Sequence, residues 1–264
     1  MIVREVSVKR ALSKSGLKEI DYSLNPYYGC VFGCTYCYAR VFTPHAEASS
    51  KWGEVVGVKV NLLEVLGREV NSLRKGVVGV STITDPYQPV EGVYRLTRGA
   101  LRILLESGFR VSIQTKSPMV IRDLDLISRH RGSVDVGVTL TTLDAELAYR
   151  LEAGAPPPKA RVEALKRVAS VGVETWVFLG PVIPDLNDRD FEGILRLAKE
   201  TGSRVVYDRY NYYRGLPLRV NGGSSWWRER EQEILRACGQ LGIECHSEEE
   251  DWIYERRRKF RPLF

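Results

Sequence analysis

The chain has 264 residues, with 39 Lys and Arg against 33 Asp and Glu, a formal charge of +6. At 44% hydrophobic and 27% charged residues it has ordinary globular composition, which excludes a mostly disordered chain. Five cysteines are too few, and an odd number, for a disulfide-stapled secreted domain, and Cys30, Cys34 and Cys37 stand close together. No segment approaches the roughly 18 uninterrupted apolar residues of a membrane span, and the opening residues lack the apolar core and small-residue cleavage site of a signal peptide. The expectation is a cytoplasmic protein without membrane contact, where clustered thiols point to metal binding or catalysis.

Strand and helix signals alternate along the chain. A short strand is expected at residues 22–25, just before the cysteines. Residues 77–84 (VVGVSTIT) are β-branched and continuous, like a strand buried on both faces. Residues 97–107 have helical spacing of leucines and stop at Gly108. Strands follow at 110–115, 134–141, 173–180 and from 204. Helices are expected at 121–130, 157–171, 188–201 and 225–240. Repeated strand–helix units imply parallel pairing through right-handed crossovers. Six such units fit an α/β fold of the partial (β/α)6 TIM-barrel type. The expected organisation is an N-terminal extension (1–21), the barrel (22–210), and a C-terminal segment (211–264) with a helix, an acidic run at 248–251 and a basic tail at 256–261.

Cys30, Cys34 and Cys37 form a CxxxCxxC pattern in GCVFGCTYCYAR. Structural zinc normally takes four ligands, and only His45 is nearby. Three cysteines can instead hold three irons of a [4Fe–4S] cluster and leave the fourth open; ferredoxin motifs supply four. A zinc loop, buried apolar thiols and a cluster used only for electron transfer remain as alternatives.

With Tyr36 before the last cysteine, the pattern resembles CxxxCxφC (φ aromatic) of the radical S-adenosylmethionine (SAM) superfamily. The blocks YSLNPYYGCVFGCTYCYAR, TDPYQPVEGVYRLTRGAL, SIQTKSPMVIRDLDLI, TTLDAELAYRLEAGAPPPKARVEALK and GPVIPDLND are similar to the spore photoproduct lyase-like (DNA repair photolyase-like) group. The resemblance implies a [4Fe–4S] cluster whose open iron is chelated by SAM, and an electron donor of the flavodoxin or ferredoxin type. It also implies reductive cleavage of SAM to a 5′-deoxyadenosyl radical that abstracts hydrogen from substrate.

Ligands of such sheets gather at the C-terminal ends of the strands. The resemblance implies that the segment with Thr84, Asp85 and Glu91 receives the amino group of SAM. Lys116, assisted by Ser117, is expected to pair with its carboxylate. Thr139 and Thr141 share one strand face and suit ribose; Pro181, in GPVIP, matches the segment against adenine. Each has a bland alternative as a turn, a solvated lysine or an ordinary strand threonine. Asp208 and Tyr210 end the sixth strand and are candidates to face adenine or substrate.

The resembled lyase keeps a hydrogen-donating cysteine on the second barrel strand, where this chain has STIT at residues 81–84. That departure weakens transfer of the lyase reaction. Cys245, beside His246, is the remaining candidate for a hydrogen donor or redox thiol; for Cys238 and Cys245 alike the alternative is buried structure. Tyr254 and Phe260 among the tail arginines, and Trp226-Trp227 beside Arg228 and Arg230, suit nucleic acid, with a solvated helix end as the alternative. Three functions stay open: a radical SAM enzyme on nucleic acid (repair or modification), one on a peptide or small metabolite, or a non-catalytic iron–sulfur protein.

Overall fold

A computed structural model describes residues 1–220 and 222–247. The acidic run and basic tail, with Tyr254 and Phe260, lie outside the described residues.

The strands are β1 (Ile2–Val6), β2 (Leu12–Lys14), β3 (Tyr22–Leu24), β4 (Tyr27–Tyr28), β5 (Val55–Lys59), β6 (Val77–Val80), β7 (Arg110–Thr115), β8 (Val134–Thr139), β9 (Glu174–Val182), β10 (Arg204–Arg209) and β11 (Cys245–Ser247). The main sheet has eight strands in the order β11-β10-β9-β8-β7-β6-β3-β2. All pairings in it are parallel except β2 with β3. Its two edges do not pair, so the architecture is an open, partial barrel. Strand β8 is buried at all six positions because helices or loops cover both faces, which is why its sequence reads as continuous rather than alternating.

All six strands expected from sequence form, but β6 stops at Val80 rather than 84 and β8 at Thr139 rather than 141, so Thr141 lies just past the strand rather than on its face. Past β10 the chain adds helix Ser224–Leu241, whose C-terminal glycine, Gly242, leads to β11, parallel to β10. The helix–strand alternation thus continues into a seventh parallel strand. Cys238 on that helix and Cys245 on β11 are joined by a disulfide. The N-terminal residues are likewise woven into the structure. Strand β2 extends the main sheet, while β1 pairs with β5 in a separate three-stranded sheet, β1-β5-β4, two of whose strands, β4 and β5, come from the connection between β3 and β6.

The helices cover the sheet through apolar stripes. Helix Leu96–Glu106 buries Leu101, Leu104 and Leu105 against β6 and β7 residues such as Val78 and Ile113. Helix Pro158–Ala169 starts on a proline, whose missing N–H costs nothing in the first turn. Helix Glu192–Thr201 packs Ile194, Leu195 and Ala198 with Val177 and Val205. The helix expected at 121–130 is tightened at its start into a 3-10 turn, Pro118–Asp123, before Leu124–Arg129 becomes α-helical. Helices Leu62–Glu69 and Ala145–Leu151 were not anticipated.

Candidate functional site

The cysteine loop leaves β3 and β4 at the C-terminal side of the parallel strands. Gly29, at φ +76°, turns the chain into the loop; a Cβ there would stand 2.6 Å from the Val55 carbonyl oxygen. Cys30, Cys34 and Tyr36 are buried in one packed cluster with Phe32, Leu151, Ile183, Tyr210 and Leu216, and Cys37 packs against it. The three thiols are free. A second segment braces the loop from outside. Gly154 N–H donates to the Phe32 carbonyl at 3.1 Å, and a Cβ on Gly154 would sit 2.1 Å from the Val31 oxygen.

Burial pushes all three thiols up, Cys34 to about 12. Cys34 and Cys37 also act on Cys30, and Cys37 on Cys34. The donor set is therefore three neighbouring, protonated, desolvated thiols that must lose protons to bind metal. Among the described residues no three Cys, His, Asp or Glu side chains converge on a single-ion site. Structural zinc normally takes four ligands, one more than this loop supplies, whereas iron–sulfur clusters are held through cysteine thiolates on separate irons.

Behind Cys34 lies a buried charged group. The Glu152 side chain is 1% exposed and forms an ion pair with Arg161, also 1% exposed. Glu152 accepts a hydrogen bond from the Tyr36 hydroxyl and another from Thr141 Oγ1 at 2.9 Å. Lys116 Nζ stands 3.8 Å from Glu152 Oε1 and 5.6 Å from the Tyr36 ring centre. Burial opposes the Glu152 charge, but Lys116 and Arg161 overrule it and hold the carboxyl below its usual range. Burial would also lower Lys116; Cys34 and Glu152 reverse that and keep the ammonium above its ordinary value. Burial and Glu152 push the Tyr36 phenol well up, so it stays a donor.

Most other residues expected to contact SAM are engaged with one another. Asp85 accepts from Tyr87 N–H (2.9 Å), Thr115 Oγ1 (2.7 Å) and Lys116 N–H (2.8 Å), which fixes the backbone that carries Lys116. Thr84 Oγ1 donates to the Gly29 carbonyl at 2.6 Å and accepts from Gln88. Ser117 caps the following 3-10 turn at Met119 N–H. Thr139 Oγ1 accepts from Gln114 at 3.2 Å, and the Pro181 carbonyl accepts from Asn187 at 3.0 Å. These bonds tie strand ends together, and among the described residues the Lys116 ammonium has an ion-pair partner, Glu152 at 3.8 Å, but no hydrogen-bond acceptor.

Three expectations need correction. Glu91 is fully buried and its carboxylate accepts from Tyr27, Thr97 N–H (2.8 Å), Arg98 N–H (3.2 Å) and Arg122 (2.6 Å), a scaffold role that leaves nothing for an amino group. Cys245 is not a free thiol, because it is bonded to Cys238. The Tyr210 hydroxyl donates to the Leu218 carbonyl at 2.7 Å, although its ring does pack in the cysteine cluster. Sequence reasoning missed Glu152, Arg161, Gln88 and Asn187. Glu152 and Arg161 lie within the EAGAPPPKAR block, but no spacing rule pairs them.

No helix among the described residues is long and apolar enough to cross a membrane. A mutant spore photoproduct lyase with bound AdoMet and dinucleoside spore photoproduct has the same fold, at TM-score 0.69 and 15% identity, over 93% of this chain and 81% of that one. An uncharacterized protein of Methanocaldococcus jannaschii is 33% identical over 187 residues, 71% of this chain and 70% of its own length. One from Mycobacterium tuberculosis is 36% identical over 197 residues, 70% of this chain but 57% of its own length. Residues 24–198 match the model of the Radical SAM superfamily, well over half the chain. With the three-cysteine loop set at the C-terminal ends of an open parallel barrel, this match shows that the chain belongs to the radical SAM superfamily, a family of enzymes that use SAM.

Proposed function

We propose that Cys30, Cys34 and Cys37 hold a [4Fe–4S] cluster, that Lys116 binds the SAM carboxylate, and that the substrate is a nucleic acid repaired or modified at a base. The observation that carries this is the half-buried Lys116 ammonium, held only at ion-pair distance by Glu152 (3.8 Å), beside three free thiols. The chemistry the cofactors supply is reductive cleavage of SAM to a 5′-deoxyadenosyl radical, which takes a hydrogen atom from substrate. The chain's own residues position and exclude. Asp85 fixes the Lys116 backbone, Glu152 steers its side chain, and Tyr36, Ile183 and Tyr210 keep water from the loop. Cys245, held in a disulfide, is not offered as hydrogen donor.

Support for nucleic acid comes from the rim beside the loop. Tyr38, Phe42 and Tyr213 are exposed and meet as three rings with centres 5.3–6.5 Å apart. The stretch from Arg209 to Val220 carries three arginines and no acidic residue. Exposed rings stack bases and arginines neutralise phosphate. The spore photoproduct lyase of the same fold binds a dinucleoside. The test has two steps. Anaerobic reconstitution with iron and sulfide, then SAM and reductant, should yield 5′-deoxyadenosine; none under competent reduction would leave a non-catalytic iron–sulfur protein. Oligonucleotide affinity should fall steeply with salt and drop about tenfold in a Phe42→Ala/Tyr213→Ala variant, one stacked base being worth ~1–3 kcal/mol. Binding that is absent or insensitive to salt would turn attention to a peptide or small metabolite.

A further inference from the structure

The buried Glu152 group has more structure than lysine placement requires. Arg161 is fixed from both sides: its Nε donates to the Pro156 carbonyl at 2.7 Å and its Nη1 to the Thr139 carbonyl at 3.3 Å. It cannot swing away from Glu152. Tyr36, between two of the cluster cysteines in sequence, reaches back to the same carboxylate. The carboxylate is thus tied to the cysteine loop by one hydrogen bond and to the barrel by an ion pair. Both buried partners sit where water does not screen them.

A fixed charge beside a cluster acts on its redox chemistry. Adding one electron makes the cluster more negative by one unit, so a nearby carboxylate opposes reduction and a nearby cation favours it. The charged groups that act on Cys34 are Lys116, Glu152 and Arg161, with Cys37 as the neighbouring thiol, and Asp85 acts on Cys30.

We propose that Glu152 is a positioning residue that sets the reduction potential of the cluster, holding it low through a carboxylate locked by Arg161 and linked to the cysteine loop by Tyr36. The inference rests on the [4Fe–4S] assignment above. A lower potential makes the reduced cluster a stronger electron donor to SAM, and Lys116 moderates the effect by lying on the opposite side of the balance. A role limited to packing predicts no such dependence on charge, since Gln has nearly the shape of Glu.

The experiment is an EPR-monitored redox titration of reconstituted protein without SAM, with iron and sulfide content measured on each sample. Glu152→Gln should move the midpoint potential upward, and Lys116→Met and Arg161→Met should each move it downward. Should Glu152→Gln fail to fold because two buried cations lose their counter-charge, the Glu152→Gln/Arg161→Met double variant keeps the test. Its potential should lie above that of Arg161→Met alone. Equal potentials in parent and Glu152→Gln, or in the double variant and Arg161→Met, overturn the proposal, as does a downward shift. If the parent takes up no cluster, it is the cofactor assignment that fails, and this inference with it.

Discussion

Glu91 gives the sharpest test of how far the site extends. Its side chain is fully buried and accepts from Thr97 and Arg98 N–H, the second and third residues of helix Leu96–Glu106. The residue before that helix, Arg95, is left-handed at φ +53° and provides no side-chain cap, so the carboxylate caps the helix from a distance. The same carboxylate pairs with Arg122 at 2.6 Å and accepts from the Tyr27 hydroxyl. Breaking a buried ion pair costs about 3–5 kcal/mol, and losing a cap about 1 kcal/mol. Glu91→Gln keeps one acceptor oxygen, so the net loss is about 3 kcal/mol. At about 2–4 °C per kcal/mol for a chain near this size, Tm should fall by about 6–12 °C. Calorimetry or circular dichroism reads the shift, and equilibrium dialysis on folded protein at low temperature reads SAM affinity, expected to change less than about threefold. An unchanged Tm together with a tenfold loss of SAM binding would refute the scaffold role and restore Glu91 as a ligand.

Three further outcomes follow from the same structure. Lys116→Met should weaken SAM binding about 10- to 100-fold, the worth of a charge-assisted hydrogen bond in a sheltered site, and undiminished affinity by dialysis would count against carboxylate binding there. Gly154→Ala should sharply lower iron and sulfide per chain, because its Cβ would collide with the Val31 oxygen at 2.1 Å and displace the loop; full cluster occupancy would show that the loop tolerates the shift. In the cluster-free protein at pH 8 all three thiols should alkylate far more slowly than an ordinary cysteine, since their pKa values are raised, Cys34 to about 12, and the reactive thiolate is scarce. Rates should climb as pH rises, and labelling at pH 8 as fast as in denatured protein would contradict the burial described.

Much of the architecture was legible because its signals are local. Strands β6 to β10 each carry β-branched residues, continuous in β6 and alternating in β7, and the helices between them are followed by glycines such as Gly108, Gly172 and Gly202, all with positive φ. Strand β5 escaped notice although it is equally apolar, because its partners are β1 and β4, which are far and near in sequence respectively and belong to a separate small sheet. The seventh strand, β11, was missed because three residues carry no periodicity; only the edge of β10 makes them a strand.

The three-cysteine loop, the partial parallel barrel and the position of Lys116 at a strand end were readable from the chain alone, because each follows from residue type, spacing or period within a short window. What the polar residues at those strand ends do depended on the packed fold. Asp85, Glu91 and Thr141 were all plausible ligands by position, yet their partners, Lys116 N–H, Arg122 and Glu152, come from other turns of the chain. The Glu152–Arg161 pair depended still more on the fold. A carboxylate buried to 1% survives as an ion only where a cation, a phenol and an ammonium converge on it, and that convergence is a property of the packed barrel.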